Sequence, residues 1–241
     1  MRAETRHQLK QDRFSRATIG AAEATVHWSV EHKSKVMVGA IITLVVVAAS
    51  VGAWYYLSQQ DLKASMELSQ AIRVLDTPLR PEGVPAQPDF PSFASAKERA
   101  TEAHKKLQGI VDKYSHTRSS EMARYFLGLT AVTLGDNAAA ERELKTVASS
   151  HNGDLSPLAK FALASFCRNN NRTKEAIDLY KQLIDKPTRT VGKVAAQLEL
   201  AATYQADQQP LEAKRTYEQV QKENPATEAA QIASGRLREL K

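Results

Sequence analysis

Twenty-two consecutive positions, residues 36–57 (VMVGAIITLVVVAASVGAWYYL), carry no charge, with Lys35 just before them and Asp61 the first charge after. At 1.5 Å of rise per residue such a run spans about 30 Å, the thickness of a bilayer's hydrocarbon core. Its β-branched residues are middling helix formers in water, but in lipid the backbone must satisfy its own hydrogen bonds, and a helix results. Trp54, Tyr55 and Tyr56 stand at one end, where amphipathic rings favour the headgroup layer, and His32, Lys33 and Lys35 stand at the other. Seven basic residues precede the run (Arg2, Arg6, Lys10, Arg13, Arg16, Lys33, Lys35), against three over residues 58–82 (Lys63, Arg73, Arg80). The asymmetry predicts a cytoplasmic N-terminus and an exported C-terminal part. A leader of 35 residues and an apolar run of this length exceed those of a cleaved signal peptide, so the run reads as an uncleaved anchor.

On either side the pattern becomes periodic. Phe14, Thr18, Ala21, Thr25, Trp28 and His32 recur every three or four residues, a stripe that suits the inner leaflet or a cytoplasmic partner as well as it suits a largely disordered tail. Leu57, Leu62, Met66, Ile72 and Leu75 keep near-helical spacing up to Pro78, which predicts that the membrane helix runs on into the first helix of the exported part. Residues 77–92 (TPLRPEGVPAQPDFPS) then hold five of the chain's nine prolines and predict an extended, solvated excursion. Pro88-Asp89-Phe90-Pro91 has the spacing of a Pro-rich ligand, but a loop is the default.

From Phe93 to the C-terminus the chain repeats itself. Four segments share an Ala, a large apolar residue four later and another three after that: Ala103, Leu107, Ile110; Ala140, Leu144, Val147; Ala176, Tyr180, Leu183; Ala213, Tyr217, Val220. The alanines are 37, 36 and 37 apart. Ahead of the last three lie Leu127-Gly128, Leu163-Ala164 and Leu200-Ala201, whose small second members let one helix approach the next. Turns are expected at Gly135-Asp136-Asn137, Asn169-Asn170-Asn171 and Asp207-Gln208-Gln209-Pro210. Ser156-Pro157 reads as a helix start with Ser as the cap, and Asn224-Pro225 as a helix end. A last helix, with Ala229, Ile232, Ala233, Leu237 and Leu240 on one side and Glu228, Gln231, Arg238 and Lys241 on the other, would cap the array and shield Leu211, Tyr217 and Val220.

These residues resemble the tetratricopeptide repeat, a pair of helices with Leu-Gly or Leu-Ala in the first and Ala, Phe or Tyr, and Ala-like positions in the second. Leu200, Ala201, Tyr204, Ala213, Tyr217, Val220 and Pro225 match it best, whereas Arg124, Lys160 and Gln197 replace its early large aromatic residue. With the apolar run and the Pro-rich segment, the resemblance, which covers roughly residues 95–241, completes an all-α chain: a cytoplasmic segment (1–35), a transmembrane helix (36–57), an extended helix with the Pro-rich loop (58–92), and a tetratricopeptide-like solenoid (93–241). It also implies a concave surface lined by the first helix of each pair, with Tyr125, Leu129, Phe161, Ser165, Arg168, Asn169, Leu198 and Gln205 as partner-binding residues for a peptide or a helix. The layout is similar to that of the bacterial ancillary subunit of the Sec translocon. That likeness implies an inner-membrane protein with a periplasmic C-terminal domain, in contact with the translocon and with periplasmic chaperones. A structural scaffold that organises envelope assembly or division by oligomerising is the other function this plan serves.

Composition narrows the chemistry. Beyond residue 57 there remain 184 residues, room for one soluble domain. The net charge of +6 divides into +3 on each side of the apolar run with the signs interspersed, so no basic stripe for nucleic acid exists. A single cysteine, Cys167, allows no internal disulfide and falls at a packing position of the repeat. A Cys167–His151 nucleophile and base is therefore disfavoured. The six histidines show no metal-ligand spacing, and no phosphate loop or serine elbow occurs. No catalysis, metal or cofactor is expected. Asn171-Arg172-Thr173 fits a glycosylation acceptor and reads as a turn.

Overall fold

A helix forced by an apolar run continues until something ends it, and no proline or glycine lies between Gly52 and Pro78. In the computed structural model, which describes residues 32–81, 83–85 and 92–240, helix α1 runs unbroken over Lys33–Asp76, 44 residues. Its apolar part is exposed throughout, Leu44 and Trp54 each to 70%. The hydroxyls inside that part bond back to the helix itself, Thr43 Oγ1 to the Gly39 carbonyl at 2.9 Å and Ser50 Oγ to Val46 at 2.7 Å. Among the described residues α1 is the helix long and apolar enough to cross a membrane. The stripe Phe14 to Trp28, the Pro88 to Pro91 motif and Lys241 lie outside the described residues.

The chain divides into two units, Met1–Tyr56 and Leu57–Lys241. In the second unit the end of α1 is followed by α2 (Ala96–Lys113), α3 (Arg118–Leu134), α4 (Asn137–Ala148), α5 (Leu155–Asn169), α6 (Thr173–Asp185), α7 (Lys193–Ala206), α8 (Pro210–Glu223) and α9 (Glu228–Glu239). No strand occurs among the described residues; a single parallel bridge, Leu79 with Phe93, joins the two ends of the Pro-rich segment. Those ends are tied by Arg80 N–H donating to the Phe93 carbonyl at 2.7 Å and by the Arg99 guanidinium donating to the Thr77 carbonyl at 2.9 Å. From α2 onward each helix packs on its sequence neighbours, and α3, α5, α7 and α9 also touch in turn, the signature of stacked helix pairs.

The periodic alanines sit where the repeat pattern requires. Ala103, Ala140, Ala176 and Ala213 are each 0% exposed, and so are Ala164 and Ala201. The larger residue four positions on is buried beside each of them: Leu107, Leu144, Tyr180 and Tyr217. Burying a side chain of this size contributes about 1.5–3 kcal/mol, which repeated along the array outweighs the weak propensity of short helices. At Gly128 the approach is close, because a Cβ there would lie 2.8 Å from Leu144 Cγ. Gly135 closes α3 at φ 80°, and Asn171 (φ 59°) and Gln208 (φ 57°) take the left-handed region in the next two turns.

Four sequence expectations shift. The core begins well before residue 93: Ala64, Leu68 and Ala71 of α1 are buried against Ala103, Leu107 and Ile110, so the end of α1 is itself the first helix of a pair. The inserted Pro-rich segment breaks the 36-to-37-residue period there and hides the pairing. Ser156 does not cap α5, which starts at Leu155; Asn152 Oδ1 accepts from the Asp154 and Leu155 N–H groups at 3.1 Å, and Ser156 Oγ donates across to the Ala148 carbonyl at 2.7 Å. Leu211 is 70% exposed and so is not part of the flank under the last helix. Ile232 is 46% exposed, because α9 seats through Ala233, with Ala229, Leu237 and Leu240 beside it, and Ile232 turns away from that line.

Two glycine substitutions test the packing. Gly128→Ala is expected to destabilise the full-length protein by about 1–3 kcal/mol through overpacking against Leu144. Gly109→Ala, in an exposed stretch of α2 with nothing within 4 Å of the new carbon, is expected to stabilise it by about 0.5–1 kcal/mol. Thermal unfolding of both variants reads the contrast; equal shifts would mean that the approach of α3 to α4 is looser than described.

Candidate protein-binding surface

Because α3, α5 and α7 touch in sequence, their outward stripes form one continuous surface, here termed the inner face. On α5, Phe161, Ser165 and Arg168 share a stripe at i, i+4 and i+7; on α7, Leu198 and Gln205 do so at i and i+7; on α3, Tyr125 and Leu129 at i and i+4. Seven of the eight expected residues are half-buried, and Asn169, at the last position of α5, is exposed. Tyr125, Leu129, Phe161 and Leu198 pack against the repeat core with one side while leaving the other to solvent. Tyr125 stands edge-on to Phe126 at 5.4 Å, and Phe161 to Tyr180 at 5.5 Å.

Two residues that the sequence pattern did not single out for binding complete this surface. Arg168 Nη1 donates to Glu199 Oε2 at 2.6 Å, joining α5 to α7 with only 21% of the arginine and 36% of the glutamate side chain exposed. Tyr180, from α6, lies beneath, 0% exposed, with its hydroxyl unpartnered. Burial pushes the Tyr180 phenol above its ordinary range; Glu199 adds to the rise, and Arg168 and Ser165 oppose it. The signal for Glu199 lay in the spacing: it follows Arg168 by 31 positions, as Arg172 follows Glu141 and Asn152 follows Glu121, each a bond from one repeat to the next.

Cys167 is 1% exposed and its burial raises the thiol pKa, the reverse of what a nucleophile needs. His151 lies in an open hollow of about 560 Å³ with Arg118, Glu121, Asn152 and Asp154. No cluster of three or more His, Cys, Asp or Glu side chains able to hold a metal occurs among the described residues. At two of the positions where the repeat pattern has an aromatic residue, a polar side chain instead reaches a carboxylate on the second helix of the pair. Arg124 donates to Glu143 at 3.0 Å, and the buried Gln197 donates to Glu223 at 3.3 Å.

The model of the tetratricopeptide repeat-like domain matches residues 26–181, more than half of the chain, and the match begins ahead of the apolar run. The chain belongs to this family. Crystal structures of nearly identical TPR-like repeats from Podosopora anserina, of a candidate kinesin light chain, agree with it in fold. One has a TM-score of 0.56 at 19% identity, covering 74% of this chain and 85% of that one. A point-substituted form of the same repeats gives a TM-score of 0.56 at 18% identity, with 74% and 84% covered. No curated protein sequence matches the chain. Tetratricopeptide repeats are interaction scaffolds, and a protein-binding role follows from membership.

The repeats are also clipped together electrostatically between α4 and the start of α6. Arg172 donates to both oxygens of Glu141 at 2.7 and 2.8 Å, and Lys145 approaches the same carboxylate at 2.6 Å. Together they hold the Glu141 carboxyl down at about 2. A carboxylate whose pKa is lowered in the folded state stabilises above its ordinary pKa near 4.5, and that stabilisation is lost as pH falls toward 2. Because the site is partly open to solvent, Glu141→Gln is expected to cost only about 1 kcal/mol at neutral pH. Urea unfolding at successive pH values should show the difference closing between pH 5 and pH 2; a gap independent of pH would refute the clip.

Proposed function

We propose that this protein is an adaptor of the bacterial envelope, anchored in the inner membrane by residues 36–57, with its N-terminus in the cytoplasm and its repeats in the periplasm. There the inner face binds other proteins, and the anchor brings it to the Sec translocon, so that it assists passing chains or hands them to periplasmic chaperones. The observation that carries the reading is α1 itself: 22 uncharged, mostly apolar residues, exposed and with Thr43 and Ser50 satisfied within the helix, continue in one element into a tetratricopeptide core. The family match supports it, since the matched residues include the apolar run together with the repeats. The translocon enters through similarity of layout.

Two measurements test this. A reporter fused after Lys241 is expected to be active on the exported side only, and replacing Arg13, Arg16, Lys33 and Lys35 by neutral residues is expected to weaken that preference; activity in the cytoplasm of the parent fusion would overturn the topology. Photo-crosslinkers placed in the apolar part of α1 should capture translocon components. Capture of a second copy or of division proteins instead would replace the adaptor with a scaffold.

A further inference from the structure

Arginines of the repeats are paired across helices at Arg124, Arg168 and Arg172. Around the open hollow at the start of α3, of about 560 Å³ and lined by Arg118, Glu121, His151, Asn152 and Asp154, the pattern is different. Among the described residues the Arg118, His151 and Asp154 side chains have no hydrogen-bond or ion-pair partner. Glu121 uses one oxygen, Oε2, to accept from Asn152 Nδ2 at 2.8 Å. The backbone carrying these groups is nevertheless fixed. Asn152 Oδ1 accepts from the Asp154 and Leu155 N–H groups at 3.1 Å, and Thr190 Oγ1 donates to the Asp154 carbonyl at 2.9 Å. Side chains left unpaired on a pinned backbone are preorganised for a ligand.

The hollow's place along the chain narrows what that ligand is. Ser119, which follows Arg118, donates its N–H to Asp61 Oδ1 at 2.9 Å. Asp61 stands four residues beyond Leu57, the end of the uncharged run, which is about 6 Å further along α1. A headgroup layer extends about 5–7 Å beyond the hydrocarbon on each side, so the long Arg118 side chain starts within reach of lipid phosphates and amines. The lining carries both signs of charge. Arg118 and a His151 N–H can donate to a phosphate diester, and Asp154 with the second Glu121 oxygen can accept from a primary ammonium. A lone anion would meet two carboxylates, and a lone cation would meet Arg118. A ligand that carries the two charges a few bonds apart suits all of them.

We propose that this hollow holds the headgroup of a zwitterionic phospholipid that has a primary amine beside its phosphate. Arg118 and His151 take the phosphate, Asp154 and Glu121 take the ammonium, and the acyl chains stay in the leaflet. The site rests on the membrane part of the adaptor reading, in which residues 36–57 span a bilayer, and is independent of the translocon and of the inner face. A headgroup held there joins the start of α3 to the α4–α5 turn at the surface of the bilayer. An anionic lipid without the amine has the phosphate but leaves both carboxylates facing negative charge, so the hollow discriminates between headgroups.

The test titrates full-length protein in detergent with short-chain phosphatidylethanolamine, short-chain phosphatidylglycerol and free phosphoethanolamine. Binding is read from the His151 ring signals in the NMR spectrum, assigned by their loss in His151→Gln. Phosphatidylethanolamine is expected to bind about tenfold tighter than phosphatidylglycerol, and free phosphoethanolamine at least tenfold more weakly than the lipid. Arg118→Gln is expected to weaken both lipids about three- to tenfold. Asp154→Asn is expected to weaken phosphatidylethanolamine by a similar factor and to narrow its lead over phosphatidylglycerol. Both side chains are exposed and unpaired, so both variants should melt with the parent; Arg118→Lys, which keeps the charge, should restore most of the binding. Equal or tighter binding of phosphatidylglycerol overturns the zwitterion site, as does parental affinity in Arg118→Gln. Free phosphoethanolamine binding as tightly as the lipid replaces the membrane ligand with a soluble phosphate ester and overturns the assignment. Binding of none of the three overturns the site as well, and the fusion after Lys241 decides the membrane topology separately.

Discussion

At Gly128 the backbone of α3 comes so close to α4 that one added carbon would meet Leu144 at 2.8 Å, and the small residues of the later repeats, Ala164, Ala176, Ala201 and Ala213, are fully buried. Helices this short gain little from hydrogen bonding alone, so they persist only where a neighbour covers an apolar stripe. Small residues set how near that neighbour can come. Near approach in turn allows Leu144, Tyr180 and Tyr217 to be covered fully, and this leaves the opposite stripes of α3, α5 and α7 free to form the inner face. The candidate surface is thus a by-product of where the small residues are placed.

The legibility of the fold in the sequence came from the same constraint. A seam that accepts only Gly or Ala marks the chain at a fixed period, and turns that need a left-handed residue mark it again at Gly135 and Asn171. Features without such a mark stayed hidden. The first pair was concealed because a Pro-rich insertion separates its helices, so Ala64, Leu68 and Ala71 fall outside the period. Ser156 has the residue type of a cap but spends its hydroxyl on the preceding helix, a choice decided by tertiary proximity. Ile232 and Leu211 are apolar at helical spacing yet exposed, since a capping helix seated on Ala233 touches along a narrow line. Register placed Tyr125, Leu129, Phe161 and Leu198 on the stripes of their helices where they are half-buried, whereas the Arg168–Glu199 pair bridging two repeats is a property of packing.

Polar side chains divide along the same lines. In the apolar part of α1, Thr43 and Ser50 bond to their own helix. In the repeats, polar groups reach outward to other helices: Arg168 to Glu199, Arg172 to Glu141, Lys193 to Glu223. Ion pairs with this much exposure contribute little stability singly. The span of 31 positions shared by the first two, each running from one repeat to the next, suits another task, which is to fix the rotation of those repeats on one another, while Lys193–Glu223 joins the two helices of one pair.

Past its apolar part, α1 changes character within one turn. Asp61 is its first charged residue after Lys35, and a charge at that point sets where hydrocarbon can end. The same carboxylate accepts from the Ser119 N–H at 2.9 Å, satisfying one of the open donors at the start of α3 and meeting the positive end of that helix. Six residues on, Glu67 accepts from Lys113 Nζ at 2.9 Å and from the Tyr114 hydroxyl at 2.7 Å, closing the end of α2. Two acidic residues, neither of which could enter lipid at low cost, are therefore the ones that lock the start of the repeat core to the helix leading into it. Ala64, Leu68 and Ala71 enter the core immediately afterwards. A segment of α1 chosen only to connect would not require small buried residues at i, i+4 and i+7. Their presence identifies it as the first packing element of the repeat array.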